Sequence, residues 1–294
     1  MAPAQRRLIA FGMKRGWLLN IALLVAVAAL GIFVWLNPSR EEQAKQPLST
    51  LQSAQARRIT LERPGQPVIT LERRDAQWLI TTPLKARADE FLVLRMLTIL
   101  EAQPVAQLPA ADLERFDLQA PAALLTIDGV EYAFGGINTV TREQYVQRGN
   151  TVYVVALRHG AALPANAPAL IRRVLLAEEE QPVAIALPGF SLSQKDGRWT
   201  LTPPADISQD DLQRYIDQWR HASAAQAEPY DQRPPIAEIR ITLRDGKVLD
   251  LGVLQRAPQL MLWRRDTGLQ YQFAEAAARA LLTSPGSAPA DTKK

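Results

Sequence analysis

Two hydrophobic patterns divide this chain. Residues 17–36 (WLLNIALLVAVAALGIFVWL) are continuously apolar and uncharged, with Asn20 as the only strongly polar side chain. From residue 57 onward, apolar and polar residues alternate over short stretches separated by turn residues, and in a few places apolar residues recur at helical spacing. The first pattern predicts a helix that is apolar all round. The second predicts strands joined as hairpins, with occasional amphipathic helices.

Twenty helical residues at about 1.5 Å rise reach roughly 30 Å, the thickness of a bilayer's hydrocarbon core. Trp17 and Trp35 bracket the stretch, where amphipathic rings favour the headgroup level. A transmembrane helix is therefore expected over 17–36. Arg6, Arg7, Lys14 and Arg15 precede it, with no acid in residues 1–16, whereas Arg40, Glu41, Glu42 and Lys45 balance after it. The positive-inside rule makes 1–16 a cytoplasmic basic segment and places the chain beyond residue 37 outside the cytoplasm. A cleaved signal peptide would have a shorter apolar region ending in small residues. This one ends in Phe33-Val34-Trp35-Leu36, which favours an uncleaved anchor. A buried helix of a soluble core is the remaining alternative. Residues 37–56 are polar, contain two prolines and read as a linker, and 284–294 read as a disordered tail.

The rest contains an internal duplication. VITLERRDAQWLITTP (68–83) aligns with GFSLSQKDGRWTLTPP (189–204), matching Leu71 with Leu192, Asp75 with Asp196, Trp78 with Trp199, Thr81 with Thr202 and Pro83 with Pro204. ALLTIDGVEYAFG (123–135) corresponds to ITLRDGKVLDLG (241–252), each with Asp-Gly at the turn and a glycine after the second strand, Gly135 and Gly252. Between these hairpins a helix is expected in each copy. Asp89 caps one bearing Phe91, Leu92, Leu94, Met96, Leu97, Ile99 and Leu100, a wide apolar face that predicts the more buried helix. Ser208 with Asp211 opens the other, with Leu212, Tyr215, Ile216 and Trp219 on one face. Short helices near 168–177 and 274–283 close the copies. The unit reads β-β-β-α-β-β-β-β-α. The expected fold class is α+β: a transmembrane helix, then two tandem repeats of mostly antiparallel sheet with packed helices, 57–180 and 181–283.

Three places carry a family resemblance: Trp78-Leu79-Ile80-Thr81-Thr82-Pro83 with Ala88-Asp89 behind it; Phe116-Asp117-Leu118-Gln119-Ala120-Pro121; and Gly135 with Tyr145-Val146 and Val152-Tyr153-Val154-Val155. On these the chain resembles the bacterial membrane-anchored domain of unknown function 4340 family over about residues 58–180, with a diverged echo in 183–283. Asp117 departs from the family's Gly-Leu-x-x-Pro pattern by replacing its glycine. The resemblance implies a single N-terminal span, an extracytoplasmic repeat domain and a place beside ABC-transporter components. It implies no catalytic residues.

Charge adds topology rather than chemistry. The net charge is +4 with 34 basic and 30 acidic side chains, and the four bases of residues 1–16 account for the whole excess. A nucleic-acid partner is therefore not expected. The absence of Cys excludes disulfides, Cys-ligated metals and a Cys nucleophile, and with only two His a site needing two or three His ligands is not expected. No metal or cofactor is expected. His159 reads as a surface-loop residue and His221 as a helix-end residue suited to the dipole. Asp210 and Asp211 suit a helix first turn, and Glu178-Glu179-Glu180 a solvated linker closing the inter-repeat helix. Gly135-Gly136-Ile137-Asn138 lacks the spacing and Lys of a phosphate loop. Trp78 and Trp199 are expected in the core, with Pro83 and Pro204 as matching structural positions. Trp263, flanked by Leu262 and Arg264-Arg265 and without an exact aromatic counterpart, is the candidate for an outward binding surface. The expectation is a non-enzymatic accessory or scaffold protein of the bacterial inner membrane, held by the bilayer and binding another envelope or transporter protein. The alternatives are an envelope glycan- or lipid-binding module and, more remotely, an envelope hydrolase.

Overall fold

The computed structural model describes residues 13–36 and 48–286. The first element, α1, runs from Met13 to Leu36. Its described side chains, those of residues 17 and 20–33, are exposed. Among the described residues no helix is long and apolar enough to cross a membrane. Residues 1–12, 37–47 and 287–294, on which much of the expected basic segment, linker and tail fall, lie outside the described residues.

The first sheet is wholly antiparallel, in the order β4-β3-β2-β1-β6-β7-β8-β9-β5. Its strands are β1 (Arg58–Glu62), β2 (Ile69–Arg74), β3 (Gln77–Thr82), β4 (Ala86–Arg87), β5 (Ala106–Pro109), β6 (Ala123–Ile127), β7 (Val130–Asn138), β8 (Glu143–Arg148) and β9 (Thr151–Ala156). Helix α2 (Glu90–Leu97) follows β4, and a single turn, α3 (Arg158–Ala161), follows β9. The second sheet repeats the plan in the order β12-β11-β10-β14-β15-β16-β17-β13. Its strands are β10 (Pro182–Leu187), β11 (Phe190–Lys195), β12 (Arg198–Thr202), β13 (Gln226–Pro229), β14 (Ala237–Leu243), β15 (Val248–Gln255), β16 (Leu260–Arg264) and β17 (Leu269–Phe273). Helix α4 (Gln209–Arg220) follows β12, and α5 (Glu275–Leu282) closes the chain's described part.

The hairpins form where the turn residues demand them. Asp128-Gly129 and Asp196-Gly197 both have positive φ at each central residue, the geometry whose twist matches two joined strands. The Asp128 carboxylate also accepts from the backbone N–H groups of Arg57 and Arg58, at 3.1 and 2.8 Å, fastening this turn to the start of β1.

Four sequence expectations change. The first copy has two more strands than the pattern shows, the short β4 and β5, and the second has one more, β13. β5 and β13 leave the helix, cross the sheet and pair with the last hairpin strand, β9 and β17. Both are four-residue edge strands, and Gln226-Ala227-Glu228-Pro229 carries almost no apolar pattern. Second, the proline equivalence shifts by one. Leu71 pairs with Ile80 but Thr70 with Thr82, leaving Thr81 as a bulge, whereas Leu192 pairs with Leu201 and Ser191 with Thr202. Pro83 therefore corresponds to Pro203, not Pro204, and both follow a cis peptide bond.

Third, the wide apolar face of α2 is only partly buried. Phe91 and Leu94 are 67% and 48% exposed, while Val93, Met96 and Leu97 face the core. After eight residues the helix tightens into a 3-10 turn (Thr98–Glu101), so only one stripe of the wide apolar face meets the sheet. Helix α4 buries Leu212, Tyr215, Ile216 and Trp219 as its spacing predicts. Fourth, residues 168–177 form no helix beyond the 3-10 turn Pro168–Leu170. Residues 171–175 are extended instead, because their backbone groups bond across rather than along the chain. Arg172 N–H donates to Arg87 O (2.8 Å), Leu175 N–H to Ala222 O (2.9 Å), and Ala224 N–H to Arg173 O (2.9 Å). This connector runs between the residues just before α2 and those just after α4, bridging Ala88 to Ile171 and Val174 to Ser223. Most buried apolar residues of both sheets form one continuous core, while Phe116, Leu118 and Val152 form a small separate cluster on the first sheet.

The two copies finish their first edge differently. In the first sheet the short β4 pairs with β3, and Ala88 N–H bonds Trp78 O at 2.8 Å. In the second, no strand among the described residues stands beside β12. The Gln209 side chain takes its place, accepting from Trp199 N–H (2.9 Å) and donating to Trp199 O (2.8 Å).

Part of the expected linker is also structured. Leu48, Ser49 and Ala56 are buried, and Leu48 N–H donates to Ala102 O at 3.0 Å. The first module thus begins near residue 48, earlier than the polar composition of 48–56 suggests.

Candidate functional site

Trp78 and Trp199 are core residues, 3% and 4% exposed. Trp199 Nε1–H donates to Gln213 Oε1 of α4 at 3.0 Å, so its ring bridges strand and helix. Trp263 lies on the opposite face of its sheet and is half-buried rather than free. The segment from β13 to β14 folds back over it. Tyr230 stacks on the indole (3.9 Å between centroids, 8° between planes), and the Arg265 guanidinium stands 5.0 Å from its centre. Among the described residues its buried Nε1–H has no partner.

Register supplies the counterpart that the sequence hides. Trp263 pairs with Gly252, and Gly135-Gly136 form a bulge opposite Tyr145. Tyr145 is therefore the equivalent of Trp263. It too meets an aromatic from the returning connection, Phe116, at 4.8 Å between centroids. A Cβ at Gly135 would overlap the Phe116 carbonyl oxygen and come 2.8 Å from Leu118 Cγ; one at Gly252 would lie 3.0 Å from both Pro235 Cβ and Trp263 Cε3. The matched glycines let the connection lie flat on the sheet. Asp117, where the resembled family has glycine, has φ +54, a left-handed position that Asp tolerates better than most residues. The expected outward surface at Trp263 is thus an internal clasp, and its ring is already occupied on the sheet's outer face.

One register position further, on the core face, is a group that sequence reading missed. Arg264 is 3% exposed and stands where the first copy has Val146. Its Nη1 donates to Leu175 O (2.7 Å) and Glu180 Oε2 (2.8 Å), its Nε to Asp266 Oδ1 (2.9 Å), and its Nη2 to Asp266 Oδ2 (2.9 Å) and Glu180 Oε1. Burial works to raise the Glu180 and Asp266 carboxyls, but the Arg264 bonds outweigh it and hold both below the usual carboxylate range. Glu180 is therefore part of a clamp between the connector and the second sheet, not a solvated linker; Glu178 stays exposed beside Arg172. An Arg next to Trp in a strand, with Asp two residues on, was the only sequence hint.

His159 is likewise not on a surface loop. It is 3% exposed in α3, with Nδ1 3.2 Å from Thr98 Oγ1. The Thr98 hydroxyl donates its proton to Arg95 O at 2.7 Å, so His159 Nδ1 is the donor to the Thr98 oxygen. Burial, then the nearby Arg158 charge, lowers the His159 pKa from 6.5 to about 4. Between these values the unfolded chain binds a proton that the folded chain refuses. His159 therefore favours the fold fully above pH 6.5, and this contribution is lost as pH falls toward 4. Urea unfolding at pH 7 and pH 4.5 is expected to show His159→Gln losing about 2 kcal/mol less than the parent on acidification; equal losses would place the burden elsewhere. His221 sits at the C-terminus of α4 with Nδ1 2.8 Å from Asp217 O, as its position predicts. Ser208 Oγ accepts from Asp211 N–H at 3.1 Å and donates to its carboxylate at 2.7 Å, capping α4.

Among the described residues no group of three or more His, Cys, Asp or Glu side chains is placed to hold a metal ion. A shallow concavity lies between α2 and α3, lined by Arg95, Thr98, Glu101, Arg158, His159 and Ala162.

A family model described as Domain of unknown function (DUF4340) matches residues 78–233, from β3 through the connector to the segment beyond β13. No curated protein and no solved structure matches the chain.

Proposed function

The chain belongs to the family described as Domain of unknown function (DUF4340), and from that premise we propose that it is a single-pass, membrane-anchored scaffold outside the bacterial cytoplasm. It holds another envelope protein in place, with a transporter component as the first candidate. Residues 17–36 anchor it in the inner membrane, N-terminus inward. The uncharged stretch, the one-sided basic flank and the family resemblance support this arrangement. The observation that carries the scaffold reading is the clamped pair of like-built sheets. Their connector is bonded to both copies and sealed by Arg264, which presents two modules as one block. The reading involves no chemistry on a substrate.

The test uses the full chain expressed in bacterial membranes. It is expected to stay in the membrane after carbonate extraction, and a phosphatase that works only after export is expected to be active when fused beyond residue 294. After cross-linking and detergent extraction, one envelope or transporter protein is expected to co-purify in stoichiometric amount. An inactive fusion would overturn the topology, and recovery of the chain alone would overturn the scaffold role.

A further inference from the structure

Helix α2 carries an outward stripe that none of the described residues covers. Phe91, Leu94, Arg95, Thr98 and Glu101 follow one another at helical spacing through the helix and its 3-10 turn, and all five are exposed. Beside the stripe stands Arg158, exposed across the concavity from Arg95. Among the described residues neither Arg95 nor Arg158 forms a salt bridge. The acids of this face are Glu90, in the first helical turn, and Glu101, whose Oε1 accepts from Ser53 Oγ at 2.8 Å.

The stripe ends where the chain arrives from its anchor. Leu48 is buried, bonded to Ala102 O through its N–H and to Arg148 Nη1 (2.6 Å) through its carbonyl. Ala102 directly follows Glu101, the foot of the stripe. Residues 37–47 alone separate Leu48 from α1, and even fully extended they reach only roughly 40 Å. From the foot to Phe91 is about 15 Å of helix. If 17–36 lies in a bilayer, the end of the module that bears this stripe is the end tied to that bilayer.

We propose that the stripe docks on the membrane surface. Phe91 and Leu94 enter the boundary between headgroups and acyl chains, and Arg95 and Arg158 meet anionic headgroup phosphates. An aromatic and a Leu beside unpaired guanidinium groups is the composition of interfacial helices. Two apolar side chains would bind weakly alone, but a short tether keeps them at high local concentration. The inference rests on the anchor reading above.

The chain has no Cys, so one introduced Cys is unique. The full chain is placed in nanodiscs of phosphatidylglycerol and phosphatidylcholine, with a nitroxide at Leu94→Cys, Leu23→Cys or Val140→Cys. Accessibility to oxygen and to a water-soluble nickel complex is then compared. The label at 94 is expected to favour oxygen severalfold over the label at 140, and to lose that preference when Phe91→Asp and Arg95→Glu are added. If 94 behaves like 140 while 23 reports lipid, surface docking is overturned and the anchor stands. If 23 reports water, the anchor reading falls and the docking with it. Protection at 94 only after addition of envelope extract would also overturn docking on lipid, in favour of a protein partner.

Discussion

Arg264→Ala is expected to destabilise the chain by about 3–5 kcal/mol, read as a lower urea midpoint and a lower Tm. The size follows from what stays behind. Glu180 loses the cation that offsets its burial, the more exposed Asp266 loses its partner, and Leu175 O loses a charged donor. An unpaired charge in a partly desolvated site costs more than the pair contributes when intact. The companion experiment separates the two effects. Arg264→Met combined with Glu180→Gln removes both partners of the ion pair to the connector while keeping most of the volume, and is expected to recover at least half of the loss. Val146 at the equivalent position shows that the sheet itself accommodates an apolar side chain there. A loss below about 1 kcal/mol for Arg264→Ala, the range of an exposed ion pair, would mean that solvent reaches the clamp.

Gly135→Ala is expected to cost about 2–3 kcal/mol, and Gly252→Ala about 1 kcal/mol. These glycines are equivalent in the duplication, yet the added methyl meets different obstacles. At Gly135 it runs into the backbone carbonyl of Phe116 and the branch of Leu118, so the whole returning segment must lift. At Gly252 it meets Pro235 and the Trp263 ring at 3.0 Å, and a few tenths of an ångström of give suffices. Neither glycine has positive φ, so the cost is one of space rather than backbone conformation. Denaturant midpoints rank the two variants. Equal costs, or a larger cost at Gly252, would show that the segment over the first sheet yields as easily as a side chain.

Much of the fold is legible in the sequence. Alternation with Asp-Gly turns marks the hairpins, Trp78 and Trp199 mark equivalent core positions, and Leu212, Tyr215, Ile216 and Trp219 give the α4 face. The features that sequence does not reveal share a cause: they depend on partners far along the chain. Residues 171–175 look helical because Ile171, Val174 and Leu175 fall at helical spacing, but their backbone bonds go to Arg87, Ala222 and Ala224. Glu180 looks solvated until Arg264 faces it, 84 positions later. His159 looks like a loop residue because the single turn that holds it is shorter than any periodicity. Trp263 has no counterpart in the aligned sequence because the two hairpins differ in length by one residue between paired positions, Phe134 with Val146 and Leu251 with Arg264. Local pattern reports which face a residue takes, and not what comes to cover that face.

The Gln209 amide on Trp199 has a consequence for how anything could attach. An open sheet margin offers unpaired N–H and C=O groups on which a foreign strand can grow, the commonest route to both peptide capture and aggregation. Here one margin of the second sheet already carries a side-chain imitation of a neighbouring strand. The corresponding margin of the first is a strand of two residues. The opposite margins, β5 and β13, are four residues long and end in Pro109 and Pro229, which have no N–H to offer. With little ladder left to extend, a protein that engages this block has to recognise side chains on its faces. The same closed margins keep copies of the chain from zipping together edge to edge.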